Sequence, residues 1–160
     1  MEKVLVQACC GCCSLADFGE IVPAGLFFNG DNMDCGGEFE RRLEAVRKVA
    51  DDLGVEIIVD PYTLHVFERC EDCIRHRLVR CARVAKAFGY GAFTTSLTVS
   101  PHKDTKMVNA IGREVGERVG VKFIELDLKK RDGFGKSVRR SKELGLYRQN
   151  YCGCAKSVRQ

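Results

Sequence analysis

A chain of 160 residues with 45% apolar side chains is long enough to bury a core, and 1–160 is read as a single domain. Its 26 basic and 22 acidic residues leave a formal charge of +4, which excludes a strongly polyanionic or disordered character. No apolar stretch is long enough to span a bilayer, and Val4-Leu5-Val6 is too short for a signal sequence, so no membrane partner and a cytoplasmic location are expected.

Val4–Ala8 reads as a buried strand, and Cys9, Cys10, Cys12 and Cys13 follow it at once in the turn toward the next helix. Val22 to Phe28 reads as a second strand. Glu38–Leu53 is a helix, with Phe39, Leu43, Val46, Ala50 and Leu53 at steps of three and four, and Gly54 closes it. Val55 to Val59 is a strand. Asp72 to Phe88 is a helix that Gly89 stops, with Cys70 and Cys73 at its start. Ala92–Thr95 is a short strand, Lys106 to Val119 a helix ended by Gly120, Val121 to Leu126 a strand, and Ser137 to Leu144 a last helix before Gly145. Strands alternating with helices imply an α/β fold, a parallel sheet with helices on both faces, and ligands of such folds sit at the carboxyl ends of the strands.

Ten residues are cysteine, an unusual number for a reducing compartment unless they bind metal or react. Eight fall in three clusters: Cys9, Cys10, Cys12 and Cys13; Cys70 and Cys73; Cys152 and Cys154. Short spacings such as C-x-x-C let one segment supply two thiolates, and three such segments exceed the needs of one zinc ion. An iron–sulfur or multi-metal redox centre at the carboxyl edge of the sheet is therefore expected. A helix N-terminus would favour anionic sulfur at the first two clusters. Cys12 reads as a bystander between ligands, Cys35 as a loop thiol or a further ligand, and Cys81 as core, on the apolar face it shares with Ile74, Leu78, Ala85 and Phe88. A four-thiolate zinc site from Cys10, Cys13, Cys70 and Cys73 stays open. A thioredoxin-like dithiol at Cys10 and Cys13 would leave two clusters unused. Gly135-Lys136-Ser137 lacks the first glycine of a phosphate loop, and no G-x-G-x-x-G opens the first helix. His65 and His76 read as surface or helix residues. His102 follows a strand end on the same edge as the first cluster. From Lys129 to Lys142 the chain carries seven basic residues and one acidic, either a solvated face or a phosphate contact.

These residues resemble the QueH-type epoxyqueuosine reductases nearly end to end. The likeness rests on Val4-Leu5-Val6-Gln7-Ala8-Cys9-Cys10-Gly11-Cys12-Cys13-Ser14, on Phe27-Phe28-Asn29, on Cys70-x-x-Cys73 with Arg77, and on Phe93-Thr94-Thr95-Ser96-Leu97-x-x-Ser100. Most specific is the run from Ser141 to Cys154, with Tyr147-Arg148-Gln149-x-Tyr151-Cys152-Gly153-Cys154. The resemblance implies a Rossmann-like (HUP-like) fold and reduction of epoxyqueuosine to queuosine in the tRNA anticodon loop. It also implies a [4Fe-4S] cluster with an additional mononuclear iron, no cobalamin, and an external electron donor such as a ferredoxin or flavodoxin. Cys9, Cys10, Cys13, Cys70, Cys73, Cys152 and Cys154 become the metal ligands. Tyr147, Tyr151 and His102, with Glu143, become candidates for the proton donor, and Arg139, Arg140 and Arg148 candidates for substrate binding. Cys12 replaces the family's proline, Asn29 to Cys35 loses another proline, and the loop before Cys70 is short. Loops carry specificity, so a reductase of a different small-molecule substrate is one alternative. A structural zinc protein that binds RNA and an electron carrier are the others.

Overall fold

The structure, a computed structural model, describes residues 2–8, 10–19, 21–30, 37–61, 67–101 and 103–149. Its centre is β1 (Val4–Ala8), buried along its whole length as a strand covered on both faces must be. A single helical turn, α1 (Gly11–Ser14), leads to β2 (Pro23–Phe28). Then come α2 (Glu38–Leu53), β3 (Glu56–Val59), α3 (Cys70–Ala87), β4 (Ala92–Thr95), α4 (Thr105–Val119), β5 (Lys122–Phe123) and α5 (Gly133–Glu143). The five strands are all parallel in the order β3-β2-β1-β4-β5. Parallel neighbours need right-handed crossovers, and these place α1, α2 and α5 on one face and α3 packed on α4 on the other. Leu5, Val6, Leu26, Phe27, Phe28 and Phe93 form the buried centre between the layers. No helix among the described residues is long and apolar enough to cross a membrane.

The expected bounds of α2 and β4 hold, and Gly54 and Gly120 close their helices in the left-handed conformation at φ 69° and 87°. Most other bounds shift by a single residue, and three shift by more. The helix expected from Asp72 begins at Cys70, so both cysteines lie in its first turn. The strand expected to run to Leu126 stops at Phe123. Beyond it the carbonyls of Ile124 and Leu126 are taken by Thr94 Oγ1 at 2.7 Å and Asn109 Nδ2 at 3.0 Å, so side chains replace the ladder. The last helix starts at Gly133, not Ser137. Glycine is a poor helix former, but a Cβ at Gly133 would lie 1.6 Å from the Leu128 carbonyl, so packing and not propensity sets that start.

Candidate metal centre

The strand order reverses between β1 and β4, and ligands of parallel sheets bind at the carboxyl side of such a switch point. Cys10 follows β1 directly. It is fully buried and caps α1, its Sγ accepting from the Cys13 backbone N–H at 3.4 Å, while Ser14 Oγ donates to the Cys10 carbonyl at 2.7 Å. Cys12 is buried and Cys13 half-buried. The sheet can hold this turn close to α2 because residue 11 is glycine: a Cβ there would stand 2.8 Å from Ala45 Cβ. With only four residues, α1 sums few peptide dipoles, so the dipole argument made for both clusters applies to the eighteen-residue α3 alone.

Cys70 and Cys73 sit one turn apart at the head of α3, Cys70 exposed and Cys73 buried. Lys103, beyond the end of β4, donates from Nζ to Cys70 Sγ at 3.4 Å. This contact ties the head of α3 to the same carboxyl edge that bears Cys10. Beneath it runs a buried polar chain. Thr95 Oγ1 donates to Gln7 Oε1 at 2.7 Å, Gln7 Nε2 donates to Asn29 Oδ1 at 2.7 Å, and Asn29 Nδ2 donates to the Arg77 carbonyl at 3.1 Å. It joins β4, β1, the end of β2 and α3 and fixes their register under the cysteines. The signal for it was available as Gln7 in an otherwise apolar strand, since a buried amide must find partners.

A second polar cluster lies at the head of α2. Glu38, 1% exposed, accepts from Arg42 Nε at 2.6 Å, from Arg41 Nη2 at 3.0 Å and from the Tyr147 hydroxyl at 2.8 Å. Burial raises the Glu38 pKa, but the hydrogen bonds from Arg42 and Tyr147 outweigh it and hold the carboxyl below its ordinary value. Arg41 lies over the Tyr147 ring at 5.4 Å. Burial, then the hydrogen bond to Glu38, pushes the Tyr147 pKa up. The segment that leads into the third cysteine cluster is thus docked beside the end of β2.

The remaining expected residues divide clearly. Cys81 is fully buried in the core, and burial pushes its thiol pKa up, so it stays protonated and apolar in behaviour. Arg148 is exposed at the carboxyl edge. Arg139 pairs with Asp132 at 3.0 Å, and Arg140 bridges Glu143 and Asp52 at 2.9 Å each. Asp52 ends α2, so Arg140 and Glu143 lie toward the amino edge, away from Glu38 and the cysteines. Lys129 is spent on the loop, donating from Nζ to the Lys103 carbonyl at 2.8 Å and Thr105 Oγ1 at 2.6 Å. Cys9, Cys35, Cys152, Cys154, Tyr151, His65 and His102 lie outside the described residues. Among the described residues, no three Cys, His, Asp or Glu side chains form a metal-holding group. The donor chemistry of those that are described, soft thiolates on two elements at one sheet edge, nonetheless suits iron or zinc.

A family model described as "Epoxyqueuosine reductase QueH" matches residues 4–160. The chain belongs to this family. An epoxyqueuosine reductase QueH of Thermotoga maritima is 35% identical over 175 residues, covering 99% of this chain and 91% of the relative. Another, of Dehalococcoides mccartyi, is 32% identical over 97% of this chain and 92% of its own length. A third, of Streptococcus pyogenes, is 28% identical over 95% of this chain and 69% of the relative. The family match begins at β1 and takes in both described cysteine segments and the segment that follows Tyr147.

Proposed function

We propose that this protein is an oxidoreductase that reduces epoxyqueuosine to queuosine in the anticodon loop of tRNA. The observation that supports the reading is that the Cys10–Cys13 turn after β1 and the head of α3 with Cys70 and Cys73 both lie at the carboxyl edge of the sheet, in a chain whose relatives are named for this reaction. The overall change is an epoxide plus two electrons and two protons to an alkene and water. Cys9, Cys10, Cys13, Cys70, Cys73, Cys152 and Cys154 would hold a [4Fe-4S] cluster and an additional mononuclear iron. When bound, such a group supplies single electrons received from a ferredoxin- or flavodoxin-type donor, together with Lewis acidity, and cobalamin has no part in the reaction.

The chain's own side chains supply the rest. Lys103 sets a positive charge beside Cys70, and Arg148 puts an exposed cation at the same edge, where it suits the phosphates of a splayed loop; Arg41 and Arg69 nearby are paired with Glu38 and Asp72. Tyr147 is a positioning residue: its hydroxyl is committed to Glu38, so the proton for the departing oxygen falls to Tyr151 or His102. The buried Thr95–Gln7–Asn29 chain holds the two cysteine turns in register during turnover. An anaerobically purified protein tests the reading at two levels. It should be brown, contain iron and sulfide, and convert epoxyqueuosine in tRNA when given a reductant. A colourless protein loaded with zinc, or an iron-loaded one that turns over only a small-molecule epoxide, would reject it.

A further inference from the structure

A groove of about 420 Å³ lies between α3 and α4, lined by Val79, Arg83, Lys86, Ala87, Arg118 and Val119. It opens at the last turns of both helices, toward the amino edge of the sheet and away from the cysteines. Its lining carries three cations and no carboxylate. Arg83, Lys86 and Arg118 are all exposed. Several exposed arginines elsewhere are neutralised, Arg113 by Glu125 at 2.7 Å, Arg139 by Asp132 at 3.0 Å and Arg140 by Asp52 at 2.9 Å, whereas among the described residues Arg47 and Arg148 stand singly. Among the described residues, neither Arg83 nor Arg118 has such a partner. Lys86 donates to the Val119 carbonyl at 3.1 Å and so also closes the end of α4. From Cys73 to Ala87 the helix α3 holds Arg75, His76, Arg77, Arg80, Arg83 and Lys86 and not one acidic residue. Val79, Arg83 and Lys86 follow one another at steps of three and four, so one face of α3 brings both of its groove cations together at its last turns.

We propose that this groove binds the phosphate backbone of the tRNA at a point remote from the modified base; the proposal rests on the tRNA reading above. Arg83 lies thirteen residues beyond Cys70, about 20 Å along the helix axis. Duplex phosphates along one strand are spaced by about 3.4 Å of axis, so the groove meets nucleotides roughly six steps from the base at the cysteines. Those belong to the stem and not to the anticodon itself. An acidic electron-transfer protein would match the charge as well, but it must approach the cysteines to deliver electrons, and this groove stands far from them. The contact reads no base and acts as a sequence-independent anchor.

The test uses the full-length protein with Arg83→Ala and Arg118→Ala together, leaving Lys86 in place because it caps α4. Binding of an unmodified full-length tRNA transcript is measured across a series of salt concentrations. Steady-state reduction of a trinucleotide centred on epoxyqueuosine, too short to reach the groove, is measured beside it. The double variant should bind tRNA roughly three- to tenfold more weakly at low salt, with the log–log salt slope flattened by about 1.5. The pair Arg83→Lys and Arg118→Lys should keep most of both, and trinucleotide reduction should not change. Unchanged tRNA affinity and slope in the alanine variant, with wild type binding normally, overturns the groove assignment alone. A raised KM for a reduced flavodoxin-type donor with unaltered tRNA binding overturns it in favour of an acidic protein. Wild type that binds no tRNA at all overturns the substrate reading and the groove together.

Discussion

Replacing Glu38 by alanine removes a carboxylate that joins the head of α2 to the segment ahead of the last cysteine cluster. Arg42, 1% exposed, would keep its charge with its 2.6 Å partner gone, and the Tyr147 hydroxyl would lose its acceptor. Breaking a buried pair from one side costs about 3–5 kcal/mol, because the surviving charge stays desolvated. That is a large share of the roughly 5–15 kcal/mol that holds a domain of this size. Urea unfolding reads it directly: with m near 2 kcal/mol/M, the midpoint should fall by about 2 M at unchanged m. The double variant Glu38→Leu, Arg42→Met removes both charges and fills the space with apolar atoms, and should regain most of the loss. Tyr147→Phe should cost only about 1 kcal/mol and spare the pair beneath it. A single variant that loses under about 1 kcal/mol, or a double variant no more stable than the single, would show that Glu38 does not hold a buried charge pair together.

The same carboxyl makes stability depend on acid. Its folded pKa is below the unfolded value, so its contribution is complete above the unfolded glutamate range of about 4.3 and is lost as pH falls through the folded pKa; Glu38→Gln should flatten that part of a stability–pH profile. Cys81→Ala should cost roughly 1 kcal/mol and leave iron content intact, and loss of iron from a well-folded variant would show that Cys81 had been misread. Gly11→Ala should cost about 1–3 kcal/mol and lower iron content, since its Cβ meets Ala45 Cβ at 2.8 Å. Ala45→Gly in the same chain should restore the iron, and a metal-replete, fully stable Gly11→Ala protein would contradict the packing. Lys129→Met should weaken the loop it ties at Lys103 more than it weakens RNA binding, visible as faster local hydrogen exchange at unchanged salt slope.

Legibility in the sequence followed the kind of force that decides each element. The centre of the fold was readable, because β1, α2 and β4 bury largely apolar residues and the glycines at 54 and 120 close helices in a left-handed conformation that side chains disfavour. The head of α5 was not, because Gly133 and Gly135 speak against a helix and only the close approach to Leu128 makes one. The length of β5 was not, because Thr94 and Asn109 come from other elements to take the carbonyls of Ile124 and Leu126 beyond it. At the site, Cys10–Cys13 and Cys70–Cys73 announced themselves by spacing. Lys103 beside Cys70 and Tyr147 on Glu38 could not, since partners 33 and 109 residues apart meet only in the folded chain. The basic run from Lys129 to Lys142 looked like one surface. Folding divides it, tying Lys129 into a loop and pairing Arg139 and Arg140 with carboxylates, while the less conspicuous Arg83 and Arg118 come together.

The most direct measurement is anaerobic incubation of the iron-loaded protein and a chemical reductant with tRNA carrying epoxyqueuosine, followed by digestion and mass spectrometry of the nucleosides. Wild type should form queuosine, lighter by one oxygen, and Cys10→Ser or Cys70→Ser should abolish its formation. Epoxyqueuosine left intact by a protein that holds its full iron and is reduced would contradict it.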